Sequence, residues 1–314
     1  MAHKSGAATV DRVRSLRSIL IYCRFEAHMT ITRRTFLRTG VAVAAGSGLL
    51  ARAAKKGGLK IGVTDWNLQM AGKIEAVALA HRIGFEGVQV SLGRKPVDGK
   101  LPLDNADVQN QYLAAAKAEG IALAGTCLDI LHTNYLKNDK LGQKWVADSI
   151  PITKKLNAGV VLLPFFGKGA MTTPEERDYV GDFLKEIAPV AEKAGIFLGL
   201  EDTNSAEDNV HIMERSRSKA VSVYYDVGNS TTNGYDVIKE IRWLGKNRIC
   251  QIHLKDNPSY MGEGKIDFPA VMRAISDIGF TEFANLETSA PSHSIEGDMS
   301  RNLGYIRKVM SANG

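Results

Sequence analysis

Four residues in the second half of the chain have side chains able to hold a divalent cation or move a proton, and their spacing is regular. They are Glu201, Asp226, His253 and Glu287, separated by 25, 27 and 34 residues. Each lies in or at the end of a short apolar run: Leu200-Glu201-Asp202, Tyr225-Asp226-Val227-Gly228-Asn229, Ile252-His253-Leu254-Lys255-Asp256 and Leu286-Glu287-Thr288. A charge embedded in such a run is costly unless it is paired or coordinates a metal. Any one of the four reads equally well as a helix cap or a salt-bridge partner. Four in succession, one structural unit apart, point instead to convergence on a single ion. Three carboxylates and one imidazole suit a hard or borderline cation, Mn²⁺ first, with Mg²⁺ and Co²⁺ as alternatives; a structural zinc would draw on thiolates. Such a centre polarises a carbonyl while two of its carboxylates remove and return a proton on the neighbouring carbon.

The elements that must position these groups follow from the apolar pattern. From residue 57 the chain repeats a short apolar run followed by a segment of helical spacing. The runs are KIGVTDW (60–66), GVQVSLG (87–93), IALAGTCLDI (121–130), GVVLLPFF (159–166), IFLGLEDT (196–203), SVYYDVG (222–228), CQIHLKD (250–256) and FANLET (283–288). Helical spacing is plain in 73–84, 108–120 and 176–195, each ending in Gly, the residue suited to a left-handed helix terminus. Near-continuous apolar strands imply parallel pairing buried on both faces. Eight such units in residues 57–314 predict an α/β protein with a single (β/α)8 TIM barrel. A doubly wound sheet would offer a Gly-rich phosphate turn after its first strand, where this chain has Thr64-Asp65-Trp66-Asn67. Cys127 and Cys250 fall inside apolar runs and read as buried thiols.

Glu on the fifth strand, Asp-x-Gly-Asn on the sixth, His-x-Lys-Asp on the seventh and Glu on the eighth together resemble the xylose-isomerase-like barrel superfamily. Within it the chain is most similar to the sugar phosphate isomerase/epimerase group. Met261-Gly-Glu-Gly-Lys-Ile-Asp-Phe268 resembles that group's Gly-x-Gly-x-Ile-Asp-Phe turn, and Gly84-Phe-Glu-Gly-Val-Gln89 fits its helix-to-strand joint. The resemblance implies one metal held by Glu201, Asp226, His253 and Glu287, with Glu201 and Glu287 as the catalytic acid/base pair working through an enediolate. It implies a sugar or keto-sugar substrate. His132, Asn229, Lys255 and Asp256 are candidate substrate contacts, and Trp66, Phe165 and Phe166 a candidate apolar wall against the sugar face. Two positions depart from the group: Gln89 stands where relatives often carry Glu, and Asn229 where many epimerases place a substrate-contacting His.

Proton return to the opposite face of the same carbon would be epimerisation, and return to the neighbouring carbon isomerisation. Loss of a leaving group would make the protein an eliminase or hydrolase of 3-keto-glycosides, and a carbohydrate-binding barrel without catalysis is the remaining alternative. An apurinic endonuclease would need several more His ligands than the five of residues 57–314, and a hydride-shift isomerase a second ligand set.

Of 314 residues, 40 are Lys or Arg and 34 Asp or Glu, but the basic excess is local. Residues 1–56 hold eleven Lys/Arg against Asp11 and Glu26, leaving 29 basic and 32 acidic residues beyond, a net of −3 that lacks a nucleic-acid footprint. Thr-Arg-Arg-Thr-Phe-Leu-Arg (32–38), the small apolar stretch Gly40–Leu50 and Ala51-Arg52-Ala53 follow the order of an export signal. The motif resembles a twin-arginine signal, read by the translocation machinery rather than acting as an anchor. The expectation is therefore a leader over 1–56 cleaved near Ala53, with no stable membrane span, a periplasmic barrel, and folding around Mn²⁺ before export. Met29 and Met1 are both plausible starts, and a homodimer through the outer helices stays open.

Overall fold

Each of the eight apolar runs becomes a strand. In the computed structural model, which describes residues 58–313, these are β1 (Lys60–Thr64), β2 (Gly87–Ser91), β3 (Ala122–Cys127), β4 (Val160–Pro164), β5 (Phe197–Glu201), β6 (Val221–Asp226), β7 (Ile249–Leu254) and β8 (Phe283–Leu286). They pair in parallel in chain order, and β8 closes on β1. The leader expected over 1–56 lies outside the described residues. The helices are α1 (Glu75–Ile83), α2 (Ala106–Glu119), α3 (Lys140–Lys155), α4 (Pro174–Ala194), α5 (Ala206–Ser216), α6 (Val227–Thr232), α7 (Val237–Leu244), α8 (Phe268–Asp277) and α9 (Ile295–Asn313). Among the described residues no helix is long and apolar enough to cross a membrane.

Local chemistry accounts for where these elements stop. Gly84, Gly120 and Gly195 end α1, α2 and α4 with φ of 105°, 70° and 72°, the left-handed geometry their sequence positions predicted. Every strand ends before its apolar run does, and two of the endings have a visible cause. The third leaves the sheet after Cys127, and Asp129–His132 coil into one 3₁₀ turn. The sixth ends at Asp226 because its carboxylate accepts the backbone N–H groups of Gly228 and Asn229, both at 2.8 Å, and so caps α6. Both faces of the sheet are covered: every residue of β2, β4, β6, β7 and β8 is buried. Cys127 and Cys250 are buried free thiols.

The barrel interior departs from an all-apolar filling. Gln89, Tyr224, Gln251, His253 and Asn285 are all 3% exposed or less. They are joined by hydrogen bonds. Asn285 Nδ2 donates to Tyr224 Oη (2.8 Å) and to Gln251 Oε1 (3.1 Å), and Tyr224 Oη donates to Gln89 Oε1 (3.0 Å). Small residues make the room. A Cβ at Gly62 would strike Asn285 Oδ1, one at Gly125 would lie 3.0 Å from Gln251 Oε1, and one at Gly199 2.9 Å from Cys250 Sγ and 3.2 Å from Tyr224 Cβ. Ladder registers shift between Val88 and Gln89 and between Val223 and Tyr224, so the two hydrogen-bonded partners each follow an irregularity that re-aims the strand.

The β1–α1 turn is pinned by Asp65, which accepts the N–H groups of Gly72 and Ser91 and the Ser91 hydroxyl at 2.8–2.9 Å. Burial, working against these bonds, raises the Asp65 pKa to about 7. Because this folded value exceeds the unfolded one, the native state binds the proton more tightly, and Asp65 stabilises most at low pH. The unfolding free energy of wild type minus that of Asp65→Asn should therefore fall as pH rises from about 4 to about 7, by at most about 1.4 kcal/mol per pH unit, and flatten above. Urea unfolding of both proteins across that range checks it, and a difference that grows with pH would contradict it.

Candidate metal centre and active site

Strand pairing brings the four chemistry-bearing residues to one level at the C-terminal rim of the barrel. Asp226 pairs with His253 and His253 with Asn285, Glu201 closes β5, and Glu287 follows the last residue of β8. One ligand atom from each of Glu201, Asp226, His253 and Glu287 lies within 4.8 Å of all the others. His253 Nδ1 is 2.8 Å from Glu201 Oε1, 3.4 Å from Glu287 Oε2 and 3.7 Å from Asp226 Oδ2. Its other nitrogen, Nε2, is 2.8 Å from Gln89 Oε1. Since Gln89 Oε1 only accepts, Nε2 carries a hydrogen, which leaves Nδ1 as the nitrogen that would offer a lone pair to a cation once its own proton is displaced. An imidazole fixed in this way by a partner on its far nitrogen is the arrangement metal-binding histidines adopt. The donor set therefore fits a divalent cation.

The electrostatics show the same demand for positive charge. Burial opposes protonation of His253, yet Glu201 and Glu287 outweigh it and push its pKa well above the usual histidine range. Lys255 Nζ lies 2.7 Å from Asp226 Oδ2 and 2.6 Å from Glu287 Oε2, so an ammonium bridges two of the four ligands. Burial also works against that charge, and Asp226 and Glu287 more than compensate, raising the Lys255 pKa. The two glutamates diverge. Burial raises Glu201 to about 7, assisted by Glu287 and Asp226 and only partly opposed by His253. Burial acts on Glu287 too, but His253 and Lys255 hold it well below the usual carboxylate range, and Trp66 Nε1 donates to its Oε1 at 3.0 Å.

The sequence motifs acquire physical reasons. A Cβ on Gly228 would collide with Lys255 Cγ, so the Gly of Asp-x-Gly-Asn is the gap through which the lysine stem reaches the carboxylates. Asp256 accepts the N–H groups of Gly262 (3.1 Å), Gly264 (2.9 Å) and Lys265 (3.0 Å), so its carboxylate folds the β7–α8 loop from within. The Gly-x-Gly turn is the wrapping of that carboxylate.

A cavity of about 270 Å³ opens above the four ligands. Trp66, His132, Phe166, Asn229 and Lys255 line it, with Glu201 and Glu287 at its floor. His132 stands on the 3₁₀ turn after β3, stacked near-parallel on Phe166 at 6.3 Å, and burial together with Arg94 pushes its pKa down. Phe165, beside Phe166, points instead into the core at 1% exposure. Asp256 stands back from this cavity and lines the adjoining one. His293 stays exposed beyond β8. The sequence reading missed Arg94 and Asp129, which also line the cavity. A single polar letter in Leu128-Asp129-Ile130 was the signal for Asp129, whose buried Oδ2 has no hydrogen-bond partner.

Comparisons with known proteins agree with this geometry. The profile of the xylose isomerase-like TIM barrel family matches residues 77–309. A 2-epi-5-epi-valiolone 7-phosphate 2-epimerase from Actinoplanes sp. is 27% identical over 210 residues, 65% of this chain and 74% of that protein. An inosose dehydratase from Geobacillus thermodenitrificans is 27% identical over 155 residues, 39% of this chain and 50% of that protein. The crystal structure of a D-allulose 3-epimerase from Methylomonas sp. superposes with a TM-score of 0.66 at 15% identity, covering 80% of this chain and 98% of that one.

Removing the partner on the far nitrogen of His253 should loosen the centre without touching a ligand. Gln89→Leu is expected to weaken Mn²⁺ binding by about 10–100-fold, read by calorimetric titration or Mn²⁺ electron paramagnetic resonance. Unchanged affinity would show that Gln89 does not orient the imidazole.

Proposed function

The chain belongs to the xylose isomerase-like TIM barrel family, and on that footing we propose that it is a metal-dependent sugar isomerase/epimerase acting by α-proton abstraction. The observation that carries the reading is the convergence of Glu201, Asp226, His253 and Glu287 within 4.8 Å beneath a cavity walled by Trp66 and Phe166. When bound by these four residues, the cation, Mn²⁺ in our reading, supplies a Lewis acid that acidifies the C–H beside a substrate carbonyl. Trp66 and Phe166 offer apolar faces to the sugar ring, and His132, Asn229 and Lys255 offer polar contacts to its hydroxyls. Glu201 and Glu287 are the two carboxylates of the set that face the cavity, placed to take and give a proton at a carbon held there. Glu287 is kept ionised by His253 and Lys255, the form able to accept a proton. One glutamate removes the α-proton to give an enediolate and the other returns a proton from the opposite side. The sugar isomer is thereby reset at that carbon or its neighbour.

A second reading shares every step up to the proton loss. If the carbon next to the enediolate carries a leaving group, its departure gives elimination, and an inosose dehydratase stands among the chain's relatives. Proton NMR in D₂O with Mn²⁺ and a panel of free ketoses and 3-keto-glycosides separates the two. Deuterium at an α-carbon with nothing released is the expected result; aglycone release would transfer the assignment to elimination. Glu201→Gln and Glu287→Gln should each slow exchange by about 10²–10⁴-fold, and chelation should abolish it.

We also read residues 1–56 as a leader cleaved near Ala53 that delivers the barrel to the periplasm by the twin-arginine route. Replacing both Arg33 and Arg34 by Lys should retain the full-length protein in the cytoplasm, checked by fractionation and immunoblotting; undiminished export would remove this assignment.

A further inference from the structure

The site cavity, at about 270 Å³, lies just under the roughly 300–1,000 Å³ common for small-molecule sites, and it does not stand alone. A second cavity of about 550 Å³ adjoins it and shares Asn229 and Lys255 as lining. Its walls are the C-terminal end of α6, with Thr231 and Thr232, and the β7–α8 loop, with Asn257, Ser259 and Ile266. We propose that this second cavity is a subsite for another glycosyl unit, so that the substrate is a keto-sugar bearing a glycosidic substituent rather than a free monosaccharide. The inference rests on the isomerase/epimerase reading of the adjoining centre and adds the substrate class to it.

Three features carry it. First, Asn229 belongs to both cavities, and its buried Nδ2 has no hydrogen-bond partner. A substituent on the first ring would pass this residue on its way into the second cavity. Second, the wall combines these hydroxyls and amides with the apolar faces of Pro258 and Ile266 and the charged ends of Lys255, Asp256 and Lys265, a mixture that suits the polar rim and C–H face of a pyranose. Third, although Lys255 and Lys265 line the cavity, Lys255 is already paired with Asp226 and Glu287, the Asp256 carboxylate opposes an anion beside Lys265, and the loop backbone offers no phosphate cradle. The N–H groups of Gly262, Gly264 and Lys265 all point at the Asp256 carboxylate and are already used, leaving no cluster of free amides to receive an anion. Binding energy from a second ring, remote from the reacting carbon, is the kind an enzyme can use to hold the first ring in register over its acid and base.

The test uses the full chain with Mn²⁺ and two sugars, a free 3-keto-hexose and the corresponding 3-keto-disaccharide. Thr232→Trp and Ser259→Trp fill the second cavity and alter no residue of the metal centre. Each should raise the KM for the disaccharide by at least about tenfold while leaving that for the keto-hexose within about twofold. Thr232→Ala and Ser259→Ala enlarge the same cavity and guard against a packing failure; they should shift only the disaccharide, and by less. Saturation-transfer NMR of the unoxidised disaccharide on the wild-type protein reads contact independently of turnover, and should show the second ring saturated as strongly as the first. The inference is overturned if the filled variants affect both sugars alike, if the second ring receives no saturation, or if a phosphate ester of the keto-hexose is preferred over the disaccharide. Contact by both rings with no exchange on any sugar would instead count against the isomerase/epimerase reading and leave the subsite standing. Exchange on keto-hexoses with no second-ring contact would do the reverse.

Discussion

The orientation of one imidazole governs the rest. His253 has two nitrogens with opposite surroundings: Nδ1 faces three carboxylates, while Nε2 faces a single amide oxygen in the floor of the barrel. Rotating the ring would bring a hydrogen against Gln89 no longer and a lone pair against nothing useful. Gln89 must therefore present oxygen upward, and it does so because Tyr224 donates to the same oxygen from the other side. Tyr224 in turn accepts from Asn285. The chemistry at the rim thus hangs from a hydrogen-bonded layer inside the barrel, in space that an ordinary barrel fills with branched aliphatic side chains. The pairing is not complete, since Gln89 Nε2 and Asn285 Oδ1 are buried without a partner, and each such group in a low-dielectric interior carries a desolvation cost.

Carboxylates here divide their oxygens between building the fold and serving the site. Asp226 Oδ1 caps α6 while Oδ2 faces Lys255 and His253. Asp256 gives both oxygens to backbone N–H groups and so shapes the loop that walls the second cavity. Asp65 likewise spends both oxygens on the fold, Oδ2 on two backbone N–H groups and Oδ1 on the Ser91 hydroxyl, fixing the turn that carries Trp66 to Glu287. The rim is consequently tied to the fold on either side of the converging carboxylates.

How much of this could be read from the letters alone follows from what sequence encodes locally. The eight runs were legible because parallel strands buried on both faces leave unbroken apolar stretches, and the convergence of Glu201, Asp226, His253 and Glu287 because charges in such stretches stand out. The interior layer was not, although Gln251 and Asn285 sit in equally apolar surroundings. A lone amide in a strand looks the same whether it faces the helices or the barrel axis, and here two register shifts help decide the matter. Phe165 and Phe166 are a similar case, neighbours with opposite fates, one in the core and one on the cavity wall. The Gly-x-Gly turn was visible as a motif, but its cause was hidden, because the carboxylate it wraps lies several residues earlier in the chain.

The glycines facing the polar layer bear on how such a chain can change over time. Gly62 leaves the volume that Asn285 occupies, and Gly199 the volume shared by Tyr224 and Cys250. A methyl group gained at either glycine is tolerable only if its large partner shrinks, and a shrunken partner strands the amides and hydroxyls that depended on it. Neither order of single substitutions avoids a poorly folding intermediate. Drift in the barrel interior should therefore proceed by paired replacements or not at all, while the cavity walls on the outer loops vary one residue at a time. A new substrate preference can thus be acquired gradually on a scaffold whose centre is locked by epistasis.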